Sequence, residues 1–294
     1  ALAGDALTTG VGNVVMGHQA LSNETTGSNN VAIGQFAMTS STLSSRNTAV
    51  GEQALKVLAS STLTNTYNVG IGYKAGVSMT SGTLNTIIGG QAGDALNTGS
   101  RNVAVGYGAL STETIRGRAV AIGYGALSLQ TGGSGDTYNT AVGYNTLGAV
   151  TTGDFNVGVG GLAGDAITTG SSNTCVGYQA ATGLTTGTGN NIMGSTAGAA
   201  LTTGGGNTAI GHTALNDETT GNSNVAVGTD AMNSSQLASH NVGIGSNALQ
   251  NITFTTLKNS YNIGVGSDSG RAITIGERNV LVGAFSGDAI TEGL

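Results

Sequence analysis

The sequence predicts an all-β protein, a parallel β-solenoid of about sixteen 17-residue rungs, on three observations. A pentad of the form Asn–apolar–small–apolar–Gly recurs sixteen times, beginning at Asn13, Asn30 and Asn47 and running to Asn262 and Asn279. Of the fifteen intervals between copies, twelve are 17 residues, two are 21 and one is 20. No helical or coiled-coil pattern has that period. The composition is 52 Gly, no Pro and 8% charged residues in 294, with a net charge of only -6. So little charge argues against the highly charged composition of a disordered chain.

Each position of the rung has a physical reading. Asn stands first in every copy except at Ala119. Stacked rungs predict an Asn ladder, each side-chain amide bonding its neighbours above and below. The fourth residue is always Val, Ile or Met (Met16, Ile33, Val50, through Val282), which predicts that it faces the core. The third is mostly Ala or Gly, with Cys175 an exception, so space on its side is tight. Gly is fifth in all sixteen copies, from Gly17 to Gly283. Such a Gly implies a positive φ angle or a close backbone approach at a corner. Ala follows three residues later in thirteen copies, then usually Leu, Met or Gly. The rung closes on a Thr-Thr-Gly type turn, as at Thr8-Thr9-Gly10 and Thr185-Thr186-Gly187. One rung buries almost nothing; stacking makes the core. At ~4.8 Å per rung, sixteen rungs predict a rod of roughly 75 Å.

Variants of the rung are equally legible. Some read Ala-Leu after the corner (Ala20-Leu21, Ala109-Leu110, Ala214-Leu215). Others read Ala-Gly and place an apolar residue three positions later, as in Ala92-Gly93-Asp94-Ala95-Leu96. Core volume is thereby roughly kept. The three long rungs end in Tyr67, Tyr138 and Tyr261, immediately before the next Asn. Outward loops are expected at residues 56–66, 129–137 and 250–260, closed by those rings. Residues 3–96 recur as 197–290, which aligns His18 with His212 and Tyr67 with Tyr261. The chain begins at Ala1 and both ends fall mid-rung, so the expectation is a single repeat segment, 1–294, cut from a longer fibre.

Runs such as Asn30-Val31-Ala32-Ile33-Gly34 and Asn102-Val103-Ala104-Val105-Gly106-Tyr107-Gly108-Ala109-Leu110 resemble the head repeats of YadA-like trimeric autotransporter adhesins. They resemble equally the related repeats of bacteriophage tail fibres. The resemblance covers essentially the whole chain. It implies a left-handed parallel β-roll, three chains side by side, and attachment to a host surface. The 17-residue period is longer than the rungs typical of the adhesin heads. Nothing in the chain resembles the adhesins' membrane anchor or coiled-coil stalk, or the chaperone domain that ends many phage fibres.

Candidate sites are few. His18, His212 and His240 lie on distant rungs, and Cys175 is alone and reads as a small buried apolar residue. Asp5, Asp94, Asp165 and Asp288 share one place in their rungs and read as turn formers rather than calcium ligands. No Ser pairs with a placed His and acid. Neither a metal, a cofactor nor an enzymatic activity is expected. The residue after the corner Gly is the best contact candidate: Tyr73, Tyr107, Tyr124, Tyr144 and Tyr178. Four of these fall within five consecutive rungs and would form an aromatic line suited to sugar rings, or else packed between chains.

These features point to a structural or adhesive fibre segment outside the cell, on a virion tail fibre or a bacterial surface. The expected partners are two further copies of the chain and host or surface glycans. An acidic chain with no basic stripe excludes nucleic acid, and no apolar run reaches the ~20 residues of a membrane span. Two other classes compete with this reading. An ice-binding solenoid would use the Thr that stands five residues before the Asn position in eleven of sixteen rungs. That row is broken by Leu63, Asn97, Gln236 and Leu257. A hexapeptide-type acyltransferase needs a longer rung, a placed His and a cofactor groove.

Overall fold

The computed structural model describes residues 2–133 and 135–292. It is all-β and parallel, with two compact units, Ala1–Thr152 and Gly153–Leu294. Each unit carries eight rung strands of three residues, from Val14–Met16 to Thr140–Val142 in the first and from Val157–Val159 to Val280–Val282 in the second. Within a unit each strand pairs in register with the same pentad positions of the next rung, as in Val103↔Val120 and Val105↔Ile122. The turn count and the 17-residue spacing follow the expectation.

The faces of the strand are the reverse of the sequence-based reading. With a side-chain period of two, the buried Asn that opens the rung puts the third residue inside and the second and fourth outside. Ala32, Ala49, Ala104, Ala121, Cys175 and Ala226 are fully buried. Ile33, Val105 and Val142 are half-buried, and Ile210 is 39% exposed. Fourth-position residues therefore do not form the core. The reason is room: the rung is too thin for two rows of branched side chains to meet inside. The large core residues come instead from the segment after the corner, among them Leu21, Met38, Leu55, Leu110, Leu127 and Leu215. Where that position is Gly, the third strand residue can expand. Ile87 and Ile192 fill the space over Gly93 and Gly198.

Backbone geometry explains the fixed Gly. The corner residues have φ between +118° and +145°, and at Gly123 and Gly194 an added Cβ would stand 2.2 Å from the carbonyl oxygen of the next corner Gly. Both sequence-based reasons for Gly therefore hold at this corner.

The Asn ladder is present and buried. Asn190 donates its backbone N–H and its Nδ2 to Asn173 Oδ1 (both 3.0 Å) and Nδ2 also to the Gly204 carbonyl (2.9 Å). Its own Oδ1 accepts the N–H and Nδ2 of Asn207. At the departure, Ala119 still donates its N–H to Asn102 Oδ1, and Gln130 Oε1 accepts from Asn139 Nδ2. The side chain missing from one rung is replaced by an amide from another part of the same turn.

Two of the three long rungs correct the loop expectation. Residues Ala59–Asn65 and Thr253–Asn259 are seven-residue strands, not loops. Each pairs at both ends with the four-residue strand of the preceding rung, with a register shift between. Thr42 faces Ala59 and Ser44 faces Thr64, so only 60–63 bulge, opposite Leu43; 254–257 do the same opposite Leu237. Their Ser- and Thr-rich, branched sequence keeps the backbone extended, so the surplus becomes a β-bulge. Ser134, in the third expected loop, lies outside the described residues. Tyr67 and Tyr261 follow strands rather than loops, whereas residues 131–133, before Tyr138, form no strand; the rings of Tyr67, Tyr138 and Tyr261 share one kind of contact. They lie against Arg46 (5.6 Å), Arg118 (5.3 Å) and His240 (5.2 Å), the residues at the same position one rung earlier.

Three buried glutamates make the irregular rungs possible. In ordinary rungs the Thr of the closing turn donates its N–H to the matching carbonyl of the next rung, as Thr8 does to Thr25 and Thr202 to Thr219. After Glu24 and Glu218 the next rung has a strand instead of that turn. Glu24 Oε1 accepts the N–H groups of Thr25, Thr26, Gly27 and Leu43, and Glu218 Oε1 those of Thr219, Thr220, Gly221 and Leu237. Glu113 does likewise for Thr114, Ile115 and Arg116. Each carboxylate supplies the acceptor that the neighbouring turn no longer provides.

Burial pushes the Glu218 carboxyl above its ordinary range, with backbone donors from Ala238, Gly221, Thr220 and Thr219 pulling the other way. An acid whose folded pKa is raised favours the fold when protonated. Its contribution is therefore largest below the ordinary carboxylate range and declines as pH rises through the folded value. Glu218→Gln does not titrate. The melting temperature of the natural chain is expected to fall relative to Glu218→Gln as pH rises above the ordinary Glu value of about 4.3. Parallel melting curves across that range would contradict this assignment.

Candidate functional site

The surface has three rows that run with the rungs. The strands present the outward second and fourth pentad positions, Val, Ile, Thr and Met with one Asn, and no charged residue among them. Most of them are half-buried, as at Ile33, Val105 and Val142, while others are exposed, from Ile71 and Ile122 at 37% to Met16 at 62% and Val282 at 69%. Immediately before the residue that opens each pentad stands one with φ near +60°, among them Arg46, Tyr67, Leu84, Arg101, Arg118, Tyr138, His240, Tyr261 and Arg278. Four of the chain's six Arg lie on this ridge, which the sequence reading did not single out. The signal was available: it is the residue preceding every pentad.

After the corner comes the predicted Tyr row. All five rings are exposed, between 47% for Tyr73 and 60% for Tyr144. The structure brings three together. Tyr107, Tyr124 and Tyr144 stack with centroids 5.6 Å apart and planes within 15°. Tyr73 stands apart in the first unit, with the Lys74 ammonium 5.1 Å from its ring centre, and Tyr178 belongs to the second unit. The three-ring stack is the ordered part of the row.

Beside the stack runs a shallow groove of about 220 Å³ lined by Tyr107, Gly108, Ser111, Tyr124, Gly125, Ser128 and Asn145. Its floor is specific to this place. The residue after the Tyr position is Gly only at Gly108 and Gly125; other rungs carry side chains there, such as Gln19, Gln91 and Asn145, at the same positive φ. Gly108 faces open space. Tyr107 Oη donates to Gln91 Oε1 (2.6 Å), tying the stack to the rung below.

The other sequence candidates take ordinary places. Cys175 is fully buried, and burial pushes its thiol up to about 12, so it is not a nucleophile. His18 lies edge-on to Phe36. Asp165 accepts a hydrogen bond from the Thr182 hydroxyl (2.6 Å), and burial pushes the Asp94 carboxyl up, against backbone hydrogen bonds and Lys74. Among the described residues no group of three His, Cys, Asp or Glu could hold a metal ion. The Thr row is engaged internally: the hydroxyls of Thr8, Thr168, Thr185, Thr202 and Thr274 each donate to the next rung's Thr carbonyl. A larger hollow of about 350 Å³, lined by Asn251, Asp268, Arg271, Ala272, Phe285 and Asp288, has part of its charge matched inside by Arg271 and Asp268. No helix is long and apolar enough to cross a membrane among the described residues. Comparison with protein-family models, with curated proteins and with solved structures finds no match.

Proposed function

We propose that this chain is a structural and adhesive fibre segment that assembles as a homotrimer and carries attachment surfaces to a host or another surface outside the cell. The observation that carries the assembly is the outward strand face. Eight three-residue strands at ~4.8 Å spacing and ~3.3 Å rise give roughly 400 Å² per unit. That matches the largest apolar patches found on monomers, which are often functional. It is also free of charge, as the centre of an interface is. Three such faces around one axis bury what a single chain leaves in water. The repeat resemblance to trimeric adhesins and phage fibres supports the same arrangement.

The ice-binding reading is disfavoured because the regular Thr hydroxyls already donate to the backbone, which leaves a less regular face to order water. Sedimentation of the purified segment decides the assembly. The expected mass is three times 28.7 kDa. A single-chain species at micromolar concentration would overturn it.

A further inference from the structure

We infer that the groove beside Tyr107 and Tyr124, bounded by Gln91 and Asn145, binds a neutral, extended oligosaccharide, an inference that rests on the attachment role proposed above. The ligand class follows from the lining. Every lining side chain is uncharged, which disfavours anionic and cationic ligands alike. The rings stack on one another along the rung direction, so what the groove meets is ring edge and phenol rather than a free ring face. Edges with hydroxyls present an apolar strip beside polar atoms, the mixture offered by a pyranose with its C–H patches and hydroxyls. Ser111 and Ser128, whose hydroxyls donate to the Ser128 and Gly148 carbonyls (3.3 and 3.4 Å), keep oxygen lone pairs as acceptors, and the Asn145 amide adds a donor and an acceptor.

Length gives a second argument. The Tyr, Gly and Ser positions repeat once per rung, at ~4.8 Å, close to the advance of one sugar unit in an extended chain. Successive units would therefore meet the same three contacts on successive rungs. The two glycines open the space. In the rungs on either side the equivalent position carries the side chain of Gln91 or Asn145, so the glycine floor spans two rungs.

Glycine is not needed at these sites for backbone reasons, because Gln91 and Asn145 hold φ of 54° and 48° there. Gly108→Gln is thus a variant that should fill the groove without disturbing the fold. The binding probes are maltotetraose, cellotetraose, chitotetraose and mannotetraose, followed by saturation-transfer NMR and by tyrosine fluorescence, which no Trp obscures. At least one tetrasaccharide is expected to bind, with affinity reduced about tenfold or more by Gly108→Gln. Tyr73→Ala is expected to leave it unchanged, and circular dichroism should confirm that both variants fold.

Failure of all four probes, or binding that survives Gly108→Gln, would overturn the inference. A proline-rich peptide bound in place of the sugars, as aromatic grooves can do, would overturn it too. Sedimentation of the same samples separates the two proposals. A trimer that binds no probe refutes the groove and leaves the fibre; a monomer that binds refutes the trimer and leaves the groove.

Discussion

Gly194→Ala is expected to unfold the second unit's middle rungs, at a cost of about 3 kcal/mol or more. Two effects add. The φ of +145° lies where only glycine is comfortable, and the new methyl carbon would stand 2.2 Å from the Gly211 carbonyl oxygen. That oxygen belongs to backbone held on both sides by the rung ladder, so it cannot move away locally. Gly132→Ala is the control: its φ is not in the positive region and an added Cβ meets nothing within 4 Å. Thermal melting followed by circular dichroism should separate the variants widely. Equal melting temperatures would mean that the corner relaxes and that the close approach is not structural.

Asn190→Ala is the second large effect. The substitution removes a buried side chain that donates to Asn173 Oδ1 and the Gly204 carbonyl and accepts two hydrogen bonds from Asn207. A buried polar group left without its partner costs about 1–3 kcal/mol, and several lose one at once. The expected loss is about 3–5 kcal/mol, concentrated on the rungs from Asn173 to Asn207. Chains of buried hydrogen bonds reinforce one another, so Asn190→Ala with Asn207→Ala should cost less than the sum of the two single changes. Hydrogen exchange can read this rung by rung. Protection unchanged at Asn207 would show that the ladder is decoration rather than support. Ala119 does not weaken the expectation, because Gln130 occupies the gap it leaves.

The parallel fold and its repeat were legible because the pentad spacing reports the rung directly. The corner was legible too: Gly in every copy admits few explanations, and both proposed ones hold at Gly123 and Gly194. The inward face was misread at Ile33, Val105, Val142 and Ile210 because constancy of apolar residues usually marks a core. Here the strand turns its small residues inward, since the buried Asn fixes the parity of the strand and the Leu or Met after the corner fills the interior opposite them. The bulges at 60–63 and 254–257 were placed too broadly because length alone does not say whether surplus residues leave the sheet. Glu24, Glu113 and Glu218 were overlooked; each replaces the usual Leu, Ile or Met of its rung, and that substitution was the available signal. Among the five Tyr, sequence could align the row but could not tell that Gly108 and Gly125 open a groove beside three of them.

The central claim is that the strand presents an apolar face outward for assembly while its small residues form the core. It is tested most directly by sedimentation of Ile71→Lys/Ile122→Lys, two changes at residues each 37% exposed on that face. The expected result is a chain with the circular dichroism and melting curve of a folded β-solenoid, now sedimenting as a monomer. Two new charges on an otherwise uncharged interface would oppose association without entering the core. Loss of the fold would place these residues inside, and an unchanged trimer would place the assembly surface elsewhere; either result would contradict the account.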